Sequence, residues 1–131
     1  MPVELEMSLR ILLAMALGAI IGFQRGRAEK PAGMRDLILI SAGSALFTVV
    51  SIYGFGADPA RVAAGIVTGI GFLGAGAIIR RGEGGVVKGL TTAATIWVTA
   101  GIGLAAGAGM YIIAAVATFL VLVVLLLPRV E

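Results

Sequence analysis

Few residues in this 131-residue chain could do chemistry, and the types that are missing exclude more than those present suggest. There is no histidine and no cysteine. That removes thiolate nucleophiles, disulfides, Cys or His metal sites and the usual general base. The acids stand near the ends of long apolar runs: Glu4, Glu6 and Asp58 at one set of ends, Glu29, Asp36, Glu83 and Glu131 at the other. They are scattered, no nucleophile–base pair is visible, and an enzyme is not expected. A path for Mg²⁺ would be expected to offer carboxylates along its length, and the middles of these runs carry none. Asp58 is the one weak candidate for a metal ligand. It stands three residues before Arg61, and the pair is read either as a helix cap with a neighbouring charge or as a functional site. Arg35-Asp36 forms a second charged pair at the opposite set of ends.

Hydroxyls are the other chemical groups available. Ser41, Ser44, Thr48 and Ser51 are spaced 3, 4 and 3, which places them on one helical face. Thr91, Thr92, Thr95 and Thr99 largely share another face, and Thr68 stands apart. Thr68, Thr91, Thr92 and Thr95 are candidates to line a polar path. The plainer reading, and the one favoured, is hydrogen bonding between helices and back to each helix's own carbonyls.

One stretch matches a nucleotide fingerprint. Gly69-Ile70-Gly71-Phe72-Leu73-Gly74 has the form G-x-G-x-x-G. That motif needs a preceding strand, a following helix and an acid about twenty residues on. Here it lies inside a neutral run, and the next acid, Glu83, is too close. Glycines in such a run have another use: they let helix backbones approach in lipid, where hydrophobicity does not drive helices together. Gly65 and Gly69 make G-x-x-x-G, and with Gly71, Gly74 and Gly76 they thin this helix on nearly every side. The helix is therefore expected at the centre of the bundle. Ala14, Gly18, Gly22 and Gly26 repeat the device at intervals of four. Val98–Leu104 echoes Val67–Leu73, which is read as shared low complexity rather than an internal repeat.

The elements that position these residues follow from composition. The chain is 60% hydrophobic and 13% charged, about half the charge of a soluble domain, so a membrane protein is expected. Charges divide it into neutral runs. Gly89–Pro128 is uncharged throughout, roughly 60 Å as one helix and about twice a bilayer core. It must turn, and Gly107-Ala108-Gly109 is the place. This predicts five spans near 7–23, 37–53, 59–79, 90–106 and 110–127. Asp58-Pro59 starts the third as N-cap and first helical residue. Trp97 lies mid-span and is expected to pack against helices. The last span is expected to face lipid.

Eight basic residues (Arg25, Arg27, Lys30, Arg35, Arg80, Arg81, Lys88 and Arg129) fall on one side of such a bundle, and Arg10 and Arg61 on the other. By the positive-inside rule the N-terminus is outside and the C-terminus cytoplasmic. The net charge of +3 is thus read as a topology signal, or as contacts with anionic lipid, and not as nucleic-acid binding. The acidic start Glu4-Leu5-Glu6 marks the first span as an anchor rather than a cleaved signal peptide.

The stretches "LGAIIGFQRGRAEKPAGMRDLILISAGSALFTVVS", "DPARVAAGIVTGIGFLGAGAII" and "VKGLTTAATIWVTAGIGLAAGAG" resemble the MgtC/SapB family of bacterial inner-membrane proteins. The resemblance implies a place in magnesium homeostasis, in a family with virulence-associated members. It further implies modulation of a membrane partner such as the ATP synthase or a magnesium transporter. The family's motif falls here on Pro31, Ala32, Gly33 and Arg35, on Asp58 and Arg61, on Gly69, Gly71, Gly74 and Gly76, and on Lys88, Gly89, Thr91, Thr92 and Trp97. The chain departs from it at Gln24, where relatives carry an acid, at Asp36, where Thr is common, and at Gly65, where Gln is common. Many relatives also carry a cytoplasmic C-terminal domain, which is not expected in these 131 residues.

The expectation is thus an all-α, multi-pass protein of a bacterial or archaeal plasma membrane, forming a single transmembrane domain. It self-associates through glycine faces as a homodimer. It needs no cofactor, with Mg²⁺ only as ligand or cargo, and it acts on a membrane partner. The alternative is a channel or carrier for Mg²⁺ or another ion at an oligomer interface.

Overall fold

A computed structural model describes residues 2–55, 58–80 and 87–128. Arg81, Glu83, Arg129 and Glu131 lie outside these residues. The described chain is all-helical apart from one two-residue ladder. Five helices run Val3–Arg27 (α1), Met34–Val50 (α2), Pro59–Ala77 (α3), Leu90–Gly107 (α4) and Tyr111–Leu125 (α5). α2 continues into one π turn, Ser51–Phe55. Ile79–Arg80 (β1) and Val87–Lys88 (β2) pair antiparallel, Ile79 opposite Lys88, and bring the end of α3 back to the start of α4.

The helix ends follow local chemistry. α1 carries Glu4 and Glu6 in its first turn and Arg25 and Arg27 in its last, which complements the partial charges at the two ends of a helix. α3 begins with Pro59 at its first position, as expected, and Asp58 occupies the N-cap. The capping itself differs from expectation. Asp58 takes a left-handed backbone (φ 49°) and its side chain makes no cap hydrogen bond. It turns instead to Arg61, 3.7 Å away. Gly89 precedes α4 with φ 93°, and a Cβ there would run into the Ala77 carbonyl, so this turn requires glycine.

α1, α2 together with its π turn (Met34–Phe55), α3 and α4 are each long and apolar enough to cross a membrane. α5 is apolar but has 15 residues, against the ~20 that a perpendicular span needs. Four helices, not five, therefore meet the length expected of a span.

α4 is the central helix. It touches α1, α2, α3 and α5 and buries nine residues, among them Ile96, Ile102, Gly103 and Ala106. The core is completed by Ala14 and Ile21 of α1, Leu37 and Ala45 of α2, and Ala114 of α5. Between these side chains, glycines bring the helix backbones close. A Cβ on Gly107 would stand 2.8 Å from the Ala45 carbonyl oxygen, and one on Gly18 would stand 2.6 Å from that of Leu37. Gly103 lies equally hard against Ser41, and Gly22 against Met34. The α1 stripe works as read at Ala14, Gly18 and Gly22 but stops there, since nothing lies near Gly26.

The expectation that α3 is central is wrong. Only Gly74 of this helix is buried. Cβ atoms at Gly65, Gly69, Gly71 and Gly76 would meet nothing within 4 Å, and one at Gly74 would meet Ala93 only at ordinary contact distance. Small residues permit close packing but do not supply a neighbour, and α3 packs mainly on α4 along one side. Trp97 also departs from expectation. It is 58% exposed, on the outward face of α4. α5 faces outward as expected, with only Ala114 and Thr118 buried.

Candidate functional site

The two hydroxyl stripes meet. Ser41, Ser44 and Thr48 on α2, Ser51 at the start of its π turn, and Thr92, Thr95 and Thr99 on α4 are all buried, between helices that pack on each other. Most of their bonding capacity is used inside the protein. The Ser44 hydroxyl donates across the seam to the Ala100 carbonyl at 2.6 Å. Thr48 donates to the Ser44 carbonyl at 2.8 Å, Thr95 to Thr91 at 2.7 Å and Ser41 to Leu37 at 3.0 Å. These are the interhelical and back-bonded arrangements expected of hydroxyls that must be satisfied in an apolar interior. The Thr99 hydroxyl is buried with no partner among the described residues. Thr68 and Thr91 lie elsewhere, exposed on α3 and α4. The candidate set Thr68, Thr91, Thr92 and Thr95 is therefore not brought to one place.

At one end of the bundle a buried cation gathers three segments. Arg25 is 2% exposed. Its Nη2 and Nε donate to the Pro31 carbonyl at 2.9 and 3.3 Å, and Nη2 also donates to the Thr92 hydroxyl. One guanidinium thus fastens the α1–α2 loop and the first turn of α4 to the end of α1. A planar fork of donors suits this task where a lysine would not. Beside it, the Gln24 Oε1 is buried without a described partner. Pro31 and Thr92 are both positions of the family motif, far apart in sequence and joined here through Arg25. Sequence reasoning assigned Arg25 to topology or lipid headgroups. The signal for burial was its register: Ala14, Gly18, Ile21 and Arg25 are spaced 4, 3 and 4, and all four are buried. Arg35 and Asp36 open α2 at this same end and are exposed.

At the opposite end Arg10 does similar work. Its Nε donates to the Tyr111 hydroxyl at 3.0 Å and its Nη1 to the Gly107 carbonyl at 2.9 Å. Its guanidinium lies 5.4 Å from the Tyr53 ring centre and 5.9 Å from that of Tyr111, within range of the attraction between a cation and an aromatic face. Glu6 stands 3.7 Å away. Arg10 was not among the sequence candidates, because a charge one turn into a span reads as a boundary marker. Asp58 and Arg61 share this end, both largely exposed. Among the described residues, no three Asp or Glu side chains come close enough to hold a metal ion, so Asp58 stands without the company a metal site needs.

An open apolar groove of about 670 Å³ lies between α2 and α3. Leu39, Gly43 and Phe47 form one wall and Gly65, Gly69 and Leu73 the other, with Ser44 and Ala100 at its floor.

Known proteins resemble the chain over almost all of this structure. "Putative magnesium transporter YhiD" of Escherichia coli K12 is 48% identical over 129 residues, covering 89% of this chain and 59% of the relative. Protein SrpB of Synechococcus elongatus is 42% identical, covering 92% and 74%. Protein MgtC of Salmonella typhimurium is 46% identical over 121 residues, covering 92% and 52%. The chain thus spans about three-fifths of YhiD and half of MgtC. No solved structure matches it. The MgtC family pattern matches residues 11–130, from the third turn of α1 to beyond the end of α5, and the protein belongs to the MgtC family.

Proposed function

We propose that this chain is a non-enzymatic component of magnesium homeostasis in the inner membrane, acting by binding and modulating another membrane protein rather than by conducting the ion itself. The ATP synthase or a magnesium transporter is the kind of partner in view. The observation that carries this reading is the closed seam between α2 and α4. Its hydroxyls are the chain's main intramembrane ligands, and they are buried and mostly bonded to backbone carbonyls. An ion entering there would have to break those bonds and push apart helices held at backbone contact. Relatives named for magnesium transport and MgtC support the magnesium context. The exposed Arg35-Asp36 pair offers a partner a charged contact at the end where Arg25 fixes the loop.

The test is ion flux into proteoliposomes that contain only this protein, beside magnesium-limited growth of cells that depend on it. The expected result is no Mg²⁺ flux above empty vesicles, and loss of growth support on Arg35→Ala with the protein still folded and inserted. Flux that falls with Ser44→Ala would overturn the reading. A path between copies of the chain draws on a different observation. Thr68 places an exposed hydroxyl on α3, away from the seam. Flux lowered by Thr68→Val but not by Ser44→Ala would favour that alternative.

A further inference from the structure

We propose that the groove between α2 and α3 is filled by α3 of a second copy, in a two-fold dimer where Phe72 of each protomer enters the groove of the other. The proposal requires only that the chain sits in a bilayer, and it stands whether the protein modulates a partner or carries an ion.

Both halves of the contact are present on one chain. The groove is open and apolar, with Gly43 on one wall and Gly65 and Gly69 on the other. Apart from its own helix backbone, none of these three glycines has a described neighbour within 4 Å of where a Cβ would lie, so the walls are open at these positions. Next to the groove, α3 presents Arg61, Gly65, Thr68, Phe72 and Gly76. These are spaced 4, 3, 4 and 4 and so form one face. Phe72 projects from it as a knob, 80% exposed. Two copies inserted in the same orientation are related by an axis along the membrane normal, so a residue keeps its depth across the interface. Phe72 of the second copy then arrives level with Leu73, where Leu39, Gly43 and Gly69 border the groove. A surface holding both knob and hole is self-complementary, which is what a two-fold contact demands.

The charges agree. Asp58 and Arg61 stand at the start of the same helix face, 60% and 86% exposed, and 3.7 Å apart within the protomer. Where two α3 helices run parallel, Arg61 of each copy faces Asp58 of the other, making two opposite-charge contacts and no forced like-charge contact. An acyl chain could occupy the groove, but it would use neither the charges nor the glycines. Glycine in a lipid-facing helix loses helix propensity and returns nothing, whereas it lets a second helix backbone come close.

Because the chain has no cysteine, single substitutions report proximity directly. Thr68→Cys and Phe72→Cys, each in two differently tagged copies, would be cross-linked in native membranes beside Ile112→Cys on α5, where Ile112 is as exposed as Phe72. The expected result is cross-linking at 68 and 72 but not at 112. Gly69→Leu, whose Cβ would meet no described neighbour within 4 Å in the protomer, should reduce the cross-linked fraction at 68 by about tenfold while helix content is unchanged. Asp58→Arg should weaken the dimer, and Asp58→Arg with Arg61→Asp should restore it. Any of three results would overturn the proposal: equal cross-linking at 112, a dimer indifferent to Gly69→Leu, or a monomer that retains lipid in the groove by native mass spectrometry. Should Gly69→Leu fail to fold, the charge exchange decides alone, and failure to restore the dimer counts against it.

Discussion

α3 and α4 carry nearly the same words. Val67-Thr68-Gly69-Ile70-Gly71-Phe72-Leu73 in one answers to Val98-Thr99-Ala100-Gly101-Ile102-Gly103-Leu104 in the other, and the two helices have equal mean hydropathy. Their surroundings are opposite. Half of α4 is buried and 6% of α3. Thr99 is enclosed, while Thr68 is exposed. Gly103 lies against the backbone of Ser41, while Gly71 faces open space. A glycine-rich helix is thus an offer of close approach. Whether the offer is taken within the chain depends on which helices stand beside it, and here α1 and α2 both stand beside α4.

The contrast can be broken most sharply at the paired glycines. Gly103→Ala drives a Cβ into the Ser41 backbone, 2.9 Å from its Cα. It should destabilise the bundle by about 3 kcal/mol, at the upper end for overpacking, read as a lower midpoint of unfolding in denaturing detergent. A midpoint equal to that of the parent protein would mean that α4 is not the tight centre of the bundle. Thr99→Val should act in the opposite direction. Removing a buried hydroxyl that has no partner among the described residues should raise stability by roughly 1–2 kcal/mol, whereas Thr68→Val on α3 should leave the protomer within about 0.5 kcal/mol. The same shift for both threonines would show that the two helices share one environment after all. Ser44→Ala removes the bond across the seam to Ala100 and should cost about 1 kcal/mol in the same unfolding experiment. The smallest effect belongs to Gly71→Ala. With nothing within 4 Å, it should stabilise the protomer by no more than about 1 kcal/mol through helix propensity. A clear loss of stability would place a neighbour on that face within the protomer.

What was legible in the sequence divides along the same line. The neutral runs located all five helices, because a chain this apolar must place its charges where helices end. Asp58-Pro59 marked the start of α3, although the Asp58 side chain pairs with Arg61 instead of capping. The stripe from Ser41 to Ser51 pointed inward as its spacing required. The order of the bundle was not legible, because Gly65, Gly69 and Gly71 carry the same local signal as Gly103 and Gly107 and differ only in what lies opposite. Trp97 was misplaced for the same reason: mid-span position says nothing of which way a side chain faces. Arg25 was misassigned because a charge after an apolar run reads as a boundary, and its stripe register, which did point inward, carried less weight than its type.

The two arginines that tie the ends of α1 also differ in how long each must wait for its partners. Arg25 finds its first partner, the Pro31 carbonyl, six residues on, and the Thr92 hydroxyl follows 67 residues downstream. The Gly107 carbonyl and Tyr111 hydroxyl that receive Arg10 lie 97 and 101 residues downstream. At a synthesis rate of about 5–20 residues per second, they appear roughly 5–20 s after Arg10 itself. α1 thus enters the membrane long before its Arg10 end can be locked, and the bundle closes there only once the ribosome has reached the start of α5.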